Sequence, residues 1–124
     1  MNYKLEWEGS NPIVSIEGIL NFERMNAADE AIYGDQRLDT MKYQLWDLRK
    51  ITQVDLLKEE ITIVGVLDRS ASCWNNDVKV ISVTDNKKII ELTETYNEQL
   101  ESTNWKAYIF SDMDEAIAFR DSLL

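Results

Sequence analysis

The stretch Asp77-Val-Lys-Val-Ile-Ser-Val-Thr-Asp-Asn-Lys-Lys-Ile-Ile-Glu-Leu-Thr-Glu-Thr-Tyr-Asn-Glu-Gln-Leu100 holds one complete strand-to-helix unit. Asp77 to Val83 is the most strand-like segment of the chain, with β-branched residues at Val78, Val80, Ile81 and Val83. Thr84 or Asp85 then offers an N-cap. Beyond it Ile89, Leu92, Tyr96 and Leu100 recur at the spacing of one buried helix face. Reading outward toward the C-terminus repeats the unit: Trp105 to Phe110 reads as a strand, Ser111-Asp112-Met113-Asp114 resembles a capping box, and a last helix runs through Ala116, Ile117, Phe119, Arg120 and Leu123.

Reading outward toward the N-terminus gives two further strand–helix steps. Asp55 opens a helix whose turns are marked by Leu57, Ile61, Val64 and Leu67 or Asp68, ending at Cys73. Before it, Met41, Tyr43 and Leu45 alternate with Lys42 and Gln44 up to Trp46, the period of a strand. Phe22, Met25, Ala28, Ala31 and Ile32 fit an earlier helix, with Asn21 as N-cap and Gly34 as its stop. Tyr3, Leu5 and Trp7, then Val14 and Ile16, flank the breaker Gly9-Ser10-Asn11-Pro12 and predict an antiparallel hairpin.

The order is therefore ββαβαβαβα, an α/β fold with a mixed, mostly parallel sheet joined by right-handed crossovers. No linker, repeat or low-complexity tract interrupts residues 1–124, which predicts a single domain. Polar residues at alternate positions of the first three strands argue against a sheet sealed equally on both sides, so the helices are expected mainly on one face. The other face would carry Lys4, Glu6, Glu8, Lys42, Gln44, Lys79 and Lys106, together with Trp46, Ile81 and Tyr108. Those three apolar side chains either form a self-association patch or lie under a loop.

Composition narrows the function. With 23 acidic and 13 basic residues the net charge is −10, which repels phosphate backbones and anionic headgroups; nucleic acid is not an expected partner. The chain has no histidine, which excludes a Ser-His-Asp triad, a Cys-His pair and a histidine metal site. No apolar run is long enough for a signal peptide or for membrane insertion, so a cytoplasmic protein is expected. The lone Cys73 reads as structural, and four scattered glycines form no phosphate-binding loop. No cofactor and no enzymatic activity are expected.

At Asp47-Leu48-Arg49-Lys50-Ile51-Thr52-Gln53-Val54-Asp55-Leu56-Leu57 the chain resembles the strand-to-helix junction of STAS domains, the anti-sigma factor antagonist family, whose pattern runs Asp-Leu-Ser-Gly-Val-Thr-Phe-Ile-Asp-Ser-Ser-Gly. Asp47, Leu48, Thr52 and Asp55 match by identity. Tyr33-Gly34-Asp35, residues 41–48 and Leu67-Asp68-Arg69-Ser70-Ala71 look similar to a bacterial branch of SpoIIAA-like proteins with no settled activity. The resemblance implies a SpoIIAA-like fold and a regulatory, protein-binding role. It also implies a departure: in the STAS antagonists a kinase partner phosphorylates the second serine after the aspartate, and here that position is Leu57, preceded by Leu56 and followed by Lys58 in place of glycine.

Candidate site residues cluster at this junction. Arg49, Lys50 and Lys58 concentrate positive charge in an acidic chain, close to where open α/β sheets bind ligands. With Asp55 and Trp46 they form the expected contact surface for a protein partner, a second copy of the chain included. Asp47 and Asp55 read as a strand-end aspartate and a helix cap rather than a catalytic pair, and Glu59-Glu60 as charge favoured at a helix N-terminus. Trp7 and Trp105 fit core positions, and Trp74 would close over a core edge. A second class of function is a carrier or sensor of a small apolar or anionic ligand, since the CRAL-TRIO lipid-binding group shares this architecture at the level of fold.

Overall fold

The structure, a computed structural model, describes residues 3–124. Its main sheet has five strands: β1 (Tyr3–Glu8), β2 (Asn11–Ile16), β4 (Tyr43–Asp47), β6 (Lys79–Val83) and β7 (Lys106–Phe110), side by side in that order. β1 and β2 form the expected antiparallel hairpin, and every other pair in this sheet is parallel. Gly9, at φ +61°, makes the hairpin turn in a region that disfavours side chains. Asn11 ties that turn to the next strand, its Oδ1 accepting from the amides of Lys42 at 2.8 Å and Tyr43 at 3.2 Å.

Four helices follow their strands: α1 (Phe22–Tyr33), α2 (Lys58–Ala71), α3 (Lys87–Gln99) and α4 (Met113–Ser122). Asn21 caps α1 through Arg24 N, and Gly34 ends it, both as the sequence predicts. Asp112 caps α4 through Asp114 N. The cap of α3 is Asn86 instead of Thr84 or Asp85; Asn86 Oδ1 accepts from Lys88 N and Ile89 N, while Thr84 Oγ1 is taken by Asn86 N. Three candidate caps in a row leave the choice to the strand-to-helix geometry.

Two strands escape the sequence reading, as does a short 3-10 helix over Gln36–Thr40. β3 (Gly18–Asn21) and β5 (Ile51–Asp55) pair in parallel as a separate two-stranded ribbon at the rim. Gly18, at φ +80°, swings the chain out of the main sheet, and Arg24 Nη1 closes the bend by donating to Glu17 O at 3.0 Å and Ile19 O at 2.7 Å. Asp55 therefore ends a strand and does not cap a helix. α2 begins after Leu57, whose amide donates to Glu60 Oε1 at 2.9 Å. β5 is half exposed, so it shows no clean alternation of burial.

α1, α2 and α3 cover one face of the sheet and α4 covers part of the other, so the helices lie mainly on one face. The main core includes Val14, Ile16, Val80, Ile89, Leu92, Tyr96, Leu100 and Trp105. The smaller core packs Tyr43, Leu45, Ile81 and Val83 under Ala116 and Phe119 of α4. Phe119 also sits 4.7 Å from the Tyr108 ring and 5.4 Å from that of Phe110. The expected assignment of faces is thus corrected in β4. Trp46 is 5% exposed and Gln44 is buried, both in the main core, because β4 is the central strand and has helices above and below it. Ile81 lies beneath α4, so no Trp46–Ile81–Tyr108 patch faces solvent. Trp74 is corrected too: it is 78% exposed.

Candidate functional site

The junction residues occupy the two ends of β5. Arg49 and Lys50 form the turn after β4, while Asp55 ends β5 and Lys58 lies beyond it, about 17 Å of extended chain away. Arg49 is held by Asp47 in a bidentate pair, Nε to Oδ1 and Nη2 to Oδ2, both at 2.9 Å. Hydrogen bonds from Arg49 keep the Asp47 carboxyl below the usual carboxylate range. Lys50 reaches Glu17 Oε1 at 3.4 Å in an exposed pair that adds little stability. The positive charge seen in the sequence is therefore largely answered locally. Trp46 lies inside the core, its Nε1 donating to Gln44 Oε1 at 3.0 Å. The structure does not bring Trp46 to the same surface as Arg49, Lys50, Asp55 and Lys58.

α2 carries an unusual outer face. Its inner side, with Ile61, Val64, Gly65, Asp68 and Ala71, packs toward α1, α3 and the sheet. On the outer side Ile63 and Leu67, four residues apart, are 49% and 46% exposed, and Trp74, in the turn after the helix, is 78% exposed. Leu57, at the N-cap of α2, is 63% exposed and bears no hydroxyl.

Beneath α1, α2 and α3 lies a feature the sequence reading missed. Asp29 and Tyr33 from α1, Asp68 from α2, Tyr96 from α3 and Gln44 from β4 meet inside the main core. Tyr33 Oη donates to Asp68 Oδ1 at 2.7 Å and Tyr96 Oη donates to Asp68 Oδ2. Gln44 Nε2 reaches Tyr33 Oη at 3.4 Å, and Gln44 receives the Trp46 indole, so a polar chain runs from Trp46 to Tyr96. The cluster adjoins a cavity of about 70 Å³ whose walls include Met25, Ile61, Val64, Leu92, Asp29 and Asp68, with no lysine or arginine in its lining.

Burial sets the charge of these groups. An ionised carboxylate in such a place is costly unless paired, so desolvation pushes the Asp68 carboxyl up to about 6 against the two tyrosine hydrogen bonds that favour ionisation. Asp29 is pushed well above the usual range by burial and then by the Asp68 charge. Both phenols are raised as well, again mainly by burial. Burial thus holds both carboxyls toward their protonated forms. Among the described residues no cluster of His, Cys, Asp or Glu is fit to hold a metal ion.

A signal for this cluster exists in the sequence. Asp29 is four residues after Met25 and three before Ile32, and Asp68 is four after Val64 and three before Ala71. Each aspartate thus stands in an apolar helix stripe, where a charged residue is rare unless it has a partner. Leu67 and Asp68 were equal candidates for the buried turn; the structure buries Asp68 and exposes Leu67.

No described helix is long and apolar enough to cross a membrane. The sequence matches no protein-family model and no curated protein. Among solved structures, the anti-sigma factor antagonist SpoIIAA in its unphosphorylated form is similar over 98% of this chain and 99% of that one, with a TM-score of 0.64 at 10% identity. An uncharacterised DUF3478 protein with a SpoIIAA-like fold from Shewanella loihica aligns over 98% of this chain and 92% of its own, with a TM-score of 0.49 at 15% identity. The element order, the opening hairpin and the SpoIIAA likeness agree, and the chain has the SpoIIAA-like α/β fold.

Proposed function

We propose that this chain is a non-enzymatic, STAS-like interaction module of the bacterial cytoplasm, binding a protein partner through the outer face of α2 and the junction that leads into it. The observation that carries this reading is the exposure of Ile63 and Leu67 on α2 and of Trp74 just beyond it, three large apolar side chains on a chain of net charge −10. The fold shared with an anti-sigma factor antagonist supports it. Leu56 and Leu57 occupy the positions where that family's resemblance implies serines, so binding is not switched by phosphorylation there. Asp55 and Lys58 stand at the start of α2 and would contribute charge to the contact, Arg49 and Lys50 lie at the other end of β5, and Trp46 is buried in the core.

Native mass spectrometry of the protein purified gently from its own host tests the reading. A retained second polypeptide, or a homodimer, is expected, and the double variant Ile63→Asp, Leu67→Asp should lose it while keeping its thermal midpoint. A bare monomer, or an assembly indifferent to those substitutions, refutes the proposal. A second reading, a carrier or sensor of a small ligand, draws support from the cavity beneath α1, α2 and α3.

A further inference from the structure

The cavity's lining and the state of Asp29 bear on what such a ligand would be. Asp29 is 6% exposed, and neither a hydrogen bond nor a cation supports its carboxyl among the described residues. No fully enclosed side-chain polar atom lacks a partner among the described residues, so the unpartnered Asp29 oxygens are the ones that open onto the void they line. Asp68 stands in the same wall with both oxygens already taken by Tyr33 and Tyr96. The rest of the lining is mostly aliphatic and aromatic, and it offers two carboxyls and no positive side chain. An anion is therefore disfavoured, whereas a cationic head would meet an acceptor with free lone pairs and the field of a second carboxylate. A volume of about 70 Å³ suits a small guest.

We infer that this cavity is a binding site for a small aliphatic ammonium ion, its head on the Asp29 carboxylate and its alkyl tail among Met25, Ile61, Val64 and Leu92. The inference rests on the small-ligand reading and replaces its apolar or anionic ligand with a cationic one. Its pH dependence follows from the groups that face Asp29: Asp68 from α2, Tyr96 from α3 and Tyr33 from its own helix. All of them are acids, and none is a base that could supply the missing positive charge. Binding must displace the proton that burial keeps on Asp29, so affinity rises roughly tenfold per pH unit while the free carboxyl stays protonated.

The experiment is a matched titration of the full chain with n-propylammonium, n-propanol and n-propionate, followed by methyl NMR of Met25, Ile61, Val64 and Leu92 and by thermal midpoint. Propylammonium is expected to shift those methyls saturably, to raise the midpoint and to bind more tightly at pH 8 than at pH 6. Asp29→Asn should abolish that preference, and Leu92→Phe, which fills the void and keeps Asp29, should abolish binding. Propanol or propionate binding as tightly as propylammonium overturns the cationic assignment while leaving the ligand reading in place. No saturable shift with any of the three overturns both. If Asp29→Asn fails to fold, the three-ligand comparison and its pH dependence on the unmodified chain decide the matter.

Discussion

Replacing Asp68 with asparagine is expected to make the protein more resistant to neutral pH. The folded state holds the Asp68 proton up to about 6, against 3.8 for an ordinary aspartate. Between those values the folded form binds more protons than the unfolded one, so stability falls as pH rises. The full contribution is present below 3.8 and is gone once pH has passed about 6. The gap corresponds to about 3 kcal/mol, a sizeable part of the roughly 5–15 kcal/mol that holds a domain of this size together. Asp29, raised further by burial, extends the decline in the same direction to higher pH. Asparagine preserves the shape and an acceptor for one tyrosine, and it cannot ionise. Urea denaturation followed by tryptophan fluorescence from pH 4 to pH 8 measures this directly, since Trp46 and Trp105 are buried reporters. Titration of the other surface carboxylates cancels in the difference between the two proteins. That difference should move by about 2 kcal/mol in favour of Asp68→Asn between pH 4 and pH 7. A flat difference, or one that favours the unmodified protein as pH rises, refutes the account of a neutral buried carboxyl.

Two substitutions test the packing that positions this cluster. Gly65 of α2 lies so close to α3 that a Cβ there would meet Gln99 Cβ and Cγ at 2.7 Å, so Gly65→Ala should lower the urea midpoint, overpacking of about 1–3 kcal/mol exceeding the helix-propensity gain of about 1 kcal/mol. Asn75 Nδ2 donates to Leu38 O at 2.8 Å and Met41 O at 2.6 Å, so Asn75→Ala should cost about 1–3 kcal/mol and speed hydrogen exchange in the 36–42 segment.

The buried carboxyls also connect the two readings of function, because α2 carries Asp68 on its inner side and Ile63 and Leu67 on its outer side. A charge change in the cluster would act on the helix whose outer face the proposed function assigns to a partner. The tyrosines that grip Asp68 come from α1 and α3, so the hydrogen bonds that would respond to ionisation are those that fix α2 between its neighbours.

Much of the architecture was legible from residue spacing. Ile89, Leu92, Tyr96 and Leu100 are all buried on the face their period predicts, and Asn21 and Gly34 bound α1 because local hydrogen bonding to a helix terminus needs no distant partner. The 47–57 stretch was harder. Nothing in Ile51-Thr52-Gln53-Val54-Asp55 announces that it pairs with Gly18–Asn21, more than thirty residues away, and so pushes the basic residues to opposite ends. A two-stranded ribbon at the rim buries little, so it leaves only a faint pattern.

The sequence by itself determined the main-sheet strands and the helices, their order, the acidic surface and the absence of histidine chemistry, since these follow from composition and from periods of two and 3.6 residues. Only the tertiary structure decided which side of β4 faces which core, because period two gives two equivalent faces and the identity of the covering helices is a long-range property. It also decided the fate of Asp29 and Asp68. Each is one polar residue in a helical stripe until α1, α2 and α3 pack over the sheet, and the desolvation that makes the pair chemically distinct exists only once those helices close around it.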